Sequence, residues 1–204
     1  MPTVKSAAKI GLLTGTFDPV HAGHVELAQA ALRNCGLDEV WLLVNPDPGH
    51  KAAAVPFRHR LDMARKAVEA APGLRVYDGA WAEESHVMPT FLRIVASHPE
   101  EYRFVFVLGM DAFLRLDGWG DVESVVNNAT YAVAHRTGSA ASEIGELRWR
   151  LGWLGPELKV SVFEFDGYEG VSSTAVRRAL RAGELPDGLP AGVYEYILRQ
   201  GLYR

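Results

Sequence analysis

Two imidazoles three residues apart, His21 and His24, stand within Gly15-Thr16-Phe17-Asp18-Pro19-Val20-His21-Ala22-Gly23-His24. On a helix that spacing projects both rings from one side of its first turn. The apolar stretch Ile10-Gly11-Leu12-Leu13 reads as a short buried strand, and Val25-Glu26-Leu27-Ala28-Gln29-Ala30-Ala31-Leu32 reads as a helix. A tight turn from a strand into a helix presents backbone N–H groups to an anion, with the helix dipole behind them. The chemistry indicated is the handling of phosphate charge. A second segment, Val171-Ser172-Ser173-Thr174-Ala175-Val176-Arg177-Arg178-Ala179-Leu180, carries three successive hydroxyl residues. A helix cap uses one of them. Together with free N–H groups and Arg177 a turn later, the three make a second phosphate-binding geometry. A cap alone remains the bland reading, and the weight of this segment comes from its pairing with the first.

The elements that must position these residues alternate between strand and helix patterns. Glu39-Val40-Trp41-Leu42-Leu43-Val44 reads as a strand, broken by Asn45-Pro46-Asp47-Pro48-Gly49. Phe57, Leu61, Ala64, Val68 and Ala71 recur at helical spacing, with Arg58, Arg60, Asp62, Arg65 and Glu69 between them. Leu74-Arg75-Val76-Tyr77 is a short strand, residues 90–97 a helix, and Phe104-Val105-Phe106-Val107-Leu108 a buried strand ending in Gly109. Tyr131-Ala132-Val133-Ala134 and Val160-Ser161-Val162-Phe163 complete the set. The pattern predicts an α/β fold: a doubly wound, Rossmann-like parallel sheet with helices on both faces and a small helical portion over about 165–204. Ligands of such sheets bind beyond the carboxyl ends of the strands, where the strand order reverses. Every candidate loop falls at such an end.

Composition sets outer limits. The chain has 204 residues, 48% apolar and 23% charged, and a formal charge of −4. One sizeable core can be buried, and nothing attracts nucleic acid or anionic membrane wholesale. No apolar run approaches the roughly 20 residues that span a bilayer. Cys35, the single cysteine, rules out an internal disulfide and fits a reducing cytoplasm. Its helical spacing from Ala31 and Leu32 makes it a small core residue rather than a nucleophile.

The two motifs together, Gly15-Thr16-Phe17-Asp18-Pro19-x-His21-x-Gly23-His24 and Ser172-Ser173-Thr174-x-x-Arg177, resemble the nucleotidyltransferase superfamily with the HxGH signature. Within it the chain resembles the bacterial nicotinate-mononucleotide adenylyltransferases over most of its length. Asn45-Pro46-x-Pro48-x-His50-Lys51 is similar to that family's loop after the second strand. Leu108-Gly109-Met110-Asp111-Ala112 with Trp119 is similar to its Gly-x-Asp and tryptophan segment. The close, Leu189-Pro190-x-x-Val193-x-x-Tyr196-Ile197 with Gly201-Leu202-Tyr203, is similar to its last helix. The resemblance implies transfer of the adenylyl group of ATP to nicotinate mononucleotide, giving deamido-NAD and pyrophosphate. It implies catalytic roles for His21, His24 and Arg177, with His24 at the α-phosphate. It implies ATP contacts at Gly15, Thr16, Phe17, Gly23, Lys51, Gly109, Asp111, Ser172, Ser173 and Thr174, and acceptor contacts at Trp119, Ser85 and Thr90. Mg²⁺ is expected to arrive bridging the ATP phosphates. The expected partners are ATP and a pyridine mononucleotide, with no nucleic acid, no membrane and room for a homo-oligomer.

Two departures from the family pattern stand out. Thr14 precedes Gly15 where the family usually has a second glycine. Glu84-Ser85-His86-Val87-Met88-Pro89-Thr90-Phe91-Leu92 replaces a Ser-Tyr-Thr-x-x-Thr-Leu pattern, keeping Ser85 and Thr90 at their spacing. This leaves the choice between nicotinate and nicotinamide nucleotides open. Several residues also have plainer readings. Asp111 serves either as a helix cap or as a nucleotide contact, and Lys51 either as a phosphate ligand or as a solvated lysine. Trp119 reads as a stacking ring more than as packing. Asp18 reads as a turn residue held by its own backbone. His50, His59, His98 and His135 read as surface or structural, and Trp81, Trp149 and Trp153 as packing. A zinc hydrolase built on His21 and His24 lacks a third ligand at convincing spacing. The two motifs also suit a nucleotide-binding module without catalysis, or a transferase acting on another phosphate such as pantetheine phosphate.

Overall fold

Strand β1 (Ala8–Gly15) is flanked by β2 (Glu39–Val44) and β4 (Tyr102–Gly109), and β3 (Leu74–Val76), β5 (Thr130–His135) and β6 (Lys159–Glu164) extend the sheet outward. The computed structural model describes residues 7–46, 53–79, 87–98, 101–119, 122–135, 140–167 and 171–204. All pairings are parallel and the six strands run in the order β3-β2-β1-β4-β5-β6. The order reverses between β1 and β4, so the carboxyl ends of those two strands form the switch point. The doubly wound sheet expected from the alternating pattern is therefore present.

Side chains alternate across a strand, and the two faces feed two separate apolar layers. Leu13, Leu42, Val44 and Val107 pack with α1 (Ala22–Asn34), α2 (Phe57–Val68) and α8 (Ala191–Gln200). Ile10, Leu12, Leu43, Phe106 and Leu108 pack with α3 (Val87–Ser97), the short α4 (Met110–Phe113) and α6 (Ala140–Arg150). Helix α5 (Val122–Asn128) lies on the same face through Val122 and Val126. Val193, Tyr196, Ile197 and Tyr203 join the α1–α2 layer, so the C-terminal helices complete one face of the sheet. Between them α7 (Ser173–Arg181) reaches that layer through Leu180.

Three expectations change. Trp149 and Trp153 are 82% and 71% exposed, whereas Leu147 and Leu151 are buried. The inward stripe of α6 runs through the leucines, and Trp149, two residues from Leu147, points to the other side. β6 is not a fully buried strand: it has one neighbour, and Ser161, Val162 and Glu164 are exposed while Phe163 is buried. Arg60, read as part of the polar side of α2, is only 1% exposed. Cys35 is half-buried against the α1–α2 layer, and burial pushes its thiol pKa up, as suits a packed residue. Trp81 lies outside the described residues.

Candidate active site

The turn between β1 and α1 begins at Gly15, where an added Cβ would come within 3.0 Å of the Phe17 ring. Glycine there lets that ring fold back over the strand end. Phe17 itself holds a φ of 48°, in the left-handed region that L residues with large side chains avoid. Its ring then meets His24 edge-on at 4.9 Å, and His24 lies against His21 at 3.7 Å between centroids. The backbone N–H of His21 donates to Nδ1 of His24 at 3.2 Å. That bond holds Nδ1 as an acceptor and places the ring proton on Nε2. His21 caps α1 and is buried, and desolvation lowers its pKa to about 4. At neutral pH the ring is thus an uncharged hydrogen-bonding group. Its side chain faces the His24 N–H in a capping box, without a hydrogen bond of good geometry to Nδ1 among the described residues. Some of the helix N–H groups expected to face outward are already used. Ala22 donates to Gly188 O at 2.7 Å, and His24 N–H donates to His21 O at 3.0 Å.

The far end of the chain docks on this turn. Ser172 caps α7 by accepting from Ala175 N–H at 3.1 Å. Ser173 Oγ donates to Pro19 O at 2.9 Å, across 154 residues of sequence. Arg177 donates to Asp18 O at 2.6 Å and to Thr174 Oγ1 at 3.2 Å. The three hydroxyls therefore divide their work: one caps the helix, one fastens it to the first motif, and one steadies the guanidinium. Both motifs line one place.

Asp18 corrects the local-turn reading. Its carboxylate accepts from Ala54 N–H at 2.6 Å and from the Tyr203 hydroxyl at 2.7 Å, and the residue is 5% exposed. Burial, followed by the hydrogen bond to Asp18, pushes the Tyr203 phenol far above its usual range. Arg60 ties a neighbouring set of loops. It donates to Thr16 O at 2.8 Å, Asn45 O at 2.5 Å, Pro46 O at 2.7 Å and Val55 O at 3.3 Å. A planar fork with five donors suits four carbonyls better than any other side chain. Arg60 and the hub role of Asp18, including its bond from Tyr203, were missed by motif reading. The available signal was Arg60 in register with Phe57, Ala64 and Ala67, an arginine inside an apolar stripe.

The Cytidylyltransferase-like family model matches residues 12–179. A probable nicotinate-nucleotide adenylyltransferase of Bordetella avium is 35% identical, covering 96% of this chain and 98% of its own length. One of Desulfotalea psychrophila is 33% identical, covering 96% and 99%. The chain belongs to the nicotinate-nucleotide adenylyltransferase family. The nicotinic acid mononucleotide adenylyltransferase of Plasmodium falciparum, solved complexed with NaAD, shares the fold with a TM-score of 0.76 at 17% identity, covering 96% of this chain and 97% of its own.

The remaining residues that the adenylyltransferase resemblance singles out take the following places. Gly109, closing β4 at the switch point, would meet nothing within 4 Å if given a Cβ, so the space above it is open. Asp111 lies in the first turn of α4 and is exposed. Trp119 is half-buried, with its edge on Phe106 at 6.3 Å. Thr90 is fully buried in α3. Gly23 sits inside the first turn of α1. Lys51, Ser85, His50 and His86 lie outside the described residues. His59 bonds the Tyr196 hydroxyl at 3.0 Å, His135 bonds Glu143 at 2.9 Å, and His98 packs on Tyr102, all structural roles.

Proposed function

We propose that this protein transfers the adenylyl group of ATP to nicotinate mononucleotide, forming deamido-NAD and pyrophosphate in NAD biosynthesis. The observation that carries this reading is the docking of α7 on the β1–α1 turn, which gathers His21, His24, Ser173, Thr174 and Arg177 beside the switch point. Family membership sets the reaction class.

An oxygen of the acceptor phosphate forms a bond to the α-phosphorus of ATP, and the bond from that phosphorus to the bridging oxygen of the β-phosphate breaks. The electron pair leaves on pyrophosphate. A phosphate monoester has its second pKa near about 6 and is largely dianionic at neutral pH, so no general base is required. The work left to the protein is alignment of two anions and stabilisation of the charge that builds on the transferring group and the leaving pyrophosphate. His24, with its proton on Nε2, donates to the α-phosphate. Arg177 and the neutral His21 hold the β- and γ-phosphates, helped by the hydroxyls of Ser173 and Thr174. Lys51 adds a positive charge, and Gly109 and Asp111 receive the nucleoside. Trp119 and Ser85 are assigned to the acceptor side, and Thr90, fully buried in α3, bears on it only through the packing of that helix.

Mg²⁺ enters with ATP as part of the substrate. Among the described residues no three His, Cys, Asp or Glu side chains cluster to hold a metal, and both carboxylate oxygens of Asp18 are engaged. That donor set fits an ion carried by phosphate oxygens and water. Among the described residues no helix is long and apolar enough to cross a membrane, and the lone Cys35 suits a cytoplasmic setting.

The test is a side-by-side turnover measurement with ATP, Mg²⁺ and either nicotinate or nicotinamide mononucleotide, following pyrophosphate. Faster turnover of the nicotinate form is expected. Absence of pyrophosphate with both, or a dominant preference for the amide, overturns the reading.

A further inference from the structure

At the amino ends of the strands, away from the switch point, lies a cavity of about 390 Å³ lined in part by Lys9, Cys35, Arg103, Asn128, Thr130 and Ser161. Lys9 and Gly15 stand at opposite ends of β1, about 20 Å apart along an extended strand. None of these six lining residues has a part in the proposed reaction.

The sheet explains why charge gathers there. Lys9 on β1 and Arg103 on β4 are direct partners, so their side chains leave the same face. Farther along that face Leu13 and Val107 are buried in the α1–α2 layer. Thr130 and Ser161 follow on β5 and β6, in the rows of Val105 and Ala132. The helices of that layer leave this corner of the sheet open: Lys9, Arg103 and Ser161 are exposed, and Thr130 is half-buried.

Like charges side by side on neighbouring strands repel. Among the described residues neither cation makes an ion pair. The Asp38 carboxylate accepts the Lys9 backbone N–H at 2.8 Å but is not part of the cavity lining. The Lys9 ammonium favours the Cys35 thiolate, opposing the rise that burial causes, which puts it on the cavity's side of the chain. Two cations beside one concave surface focus a positive potential, and a dianionic phosphate satisfies both at once. The groups beyond them are of another kind. Thr130 and Ser161 supply hydroxyls, and Asn128, whose amide nitrogen donates to Ser124 O at 3.0 Å, keeps its oxygen as an acceptor. Such groups match the hydroxyls of a sugar, and the volume suits a small molecule.

We propose that this cavity is a second binding site, for a sugar phosphate, with Lys9 and Arg103 on the phosphate and Asn128, Thr130 and Ser161 on the sugar. It goes beyond the adenylyl-transfer reading and does not depend on it.

Amide NMR spectra of the ¹⁵N-labelled full chain, titrated with ribose 5-phosphate, test this because they report each end of the sheet separately. Saturating shifts are expected at Lys9, Arg103, Thr130 and Ser161, with or without ATP and Mg²⁺ in the active site. Inorganic phosphate should saturate the same amides at least about fivefold more weakly, and ribose alone should leave them unmoved. Arg103→Glu and Lys9→Glu should each weaken binding more than about tenfold, the scale of one lost charge-assisted hydrogen bond, while kcat for adenylyl transfer stays within about twofold. Equal affinity for inorganic phosphate overturns the sugar assignment. The site itself is overturned if shifts appear only in the Gly15–His24 turn, if sodium chloride at equal ionic strength reproduces them, or if both variants bind as the parent does.

Discussion

At the scale of single residues, the two imidazoles of the first motif hold different jobs. His24 is wedged between Phe17 and His21, and its Nδ1 is occupied by the His21 N–H, so only the Nε2 side can serve a phosphate. His24→Ala should lower kcat by at least ~100-fold in steady-state assays, the scale of losing one preorganised donor. Turnover within a few-fold of the parent would remove His24 from the reaction. His21 carries a pH signature. Burial lowers its pKa from 6.5 to about 4, so between those values the unfolded chain binds more protons than the folded one. The stability contributed by neutral His21 is fully present above pH 6.5 and is lost as pH falls to about 4, by on the order of 3 kcal/mol. Urea unfolding across that range should show a shallower pH dependence for His21→Gln than for the parent. Equal slopes would contradict the burial of a neutral ring. The spacing of the two histidines was legible in the sequence. The neutral state of His21 was not, because it depends on how deeply the fold buries the ring.

At the scale of elements, the C-terminal segment acts as a clasp. Tyr203 donates to Asp18, whose main-chain oxygen holds Arg177, so one side chain near the chain's end bears on the guanidinium geometry. Tyr203→Phe keeps the ring and removes the donor to a buried carboxylate. It should cost about 2 kcal/mol in denaturant unfolding, and kcat should fall with it as Arg177 loses its fixed anchor. A loss below about 0.5 kcal/mol would show that Asp18 needs only the Ala54 N–H. Strand and helix identities were readable, since apolar runs and helical spacing are local properties. Long-range polar ties were not. Asp18 looks like an ordinary turn aspartate until Ala54 and Tyr203 are brought to it. Arg60 looks like a surface arginine until the carbonyls after β1 and β2 converge on it. Trp149 shows the opposite failure: a large apolar residue invites a packing role, but its place on α6 faces it outward.

At the scale of the whole molecule, a parallel sheet whose order reverses between β1 and β4 provides one open switch point, and both ends of the chain are used to furnish it. The first motif leaves β1 there, and α7 returns from beyond the last strand to dock on it. That meeting was inferable from motif pairing, whereas the bonds that enforce it, Ser173 to Pro19 and Arg177 to Asp18, needed the fold. The edge position of β6 was also beyond local reading, because a strand's burial depends on how many neighbours the sheet gives it. Whether this arrangement moves the α-phosphoryl group to a mononucleotide is decided by the fate of position-labelled ATP. With Mg²⁺, nicotinate mononucleotide and ATP labelled at the α-phosphorus, the label should appear in the dinucleotide, and label at the γ-phosphorus should appear in pyrophosphate. Release of the α-label as free AMP, or of the γ-label as inorganic phosphate, would contradict it.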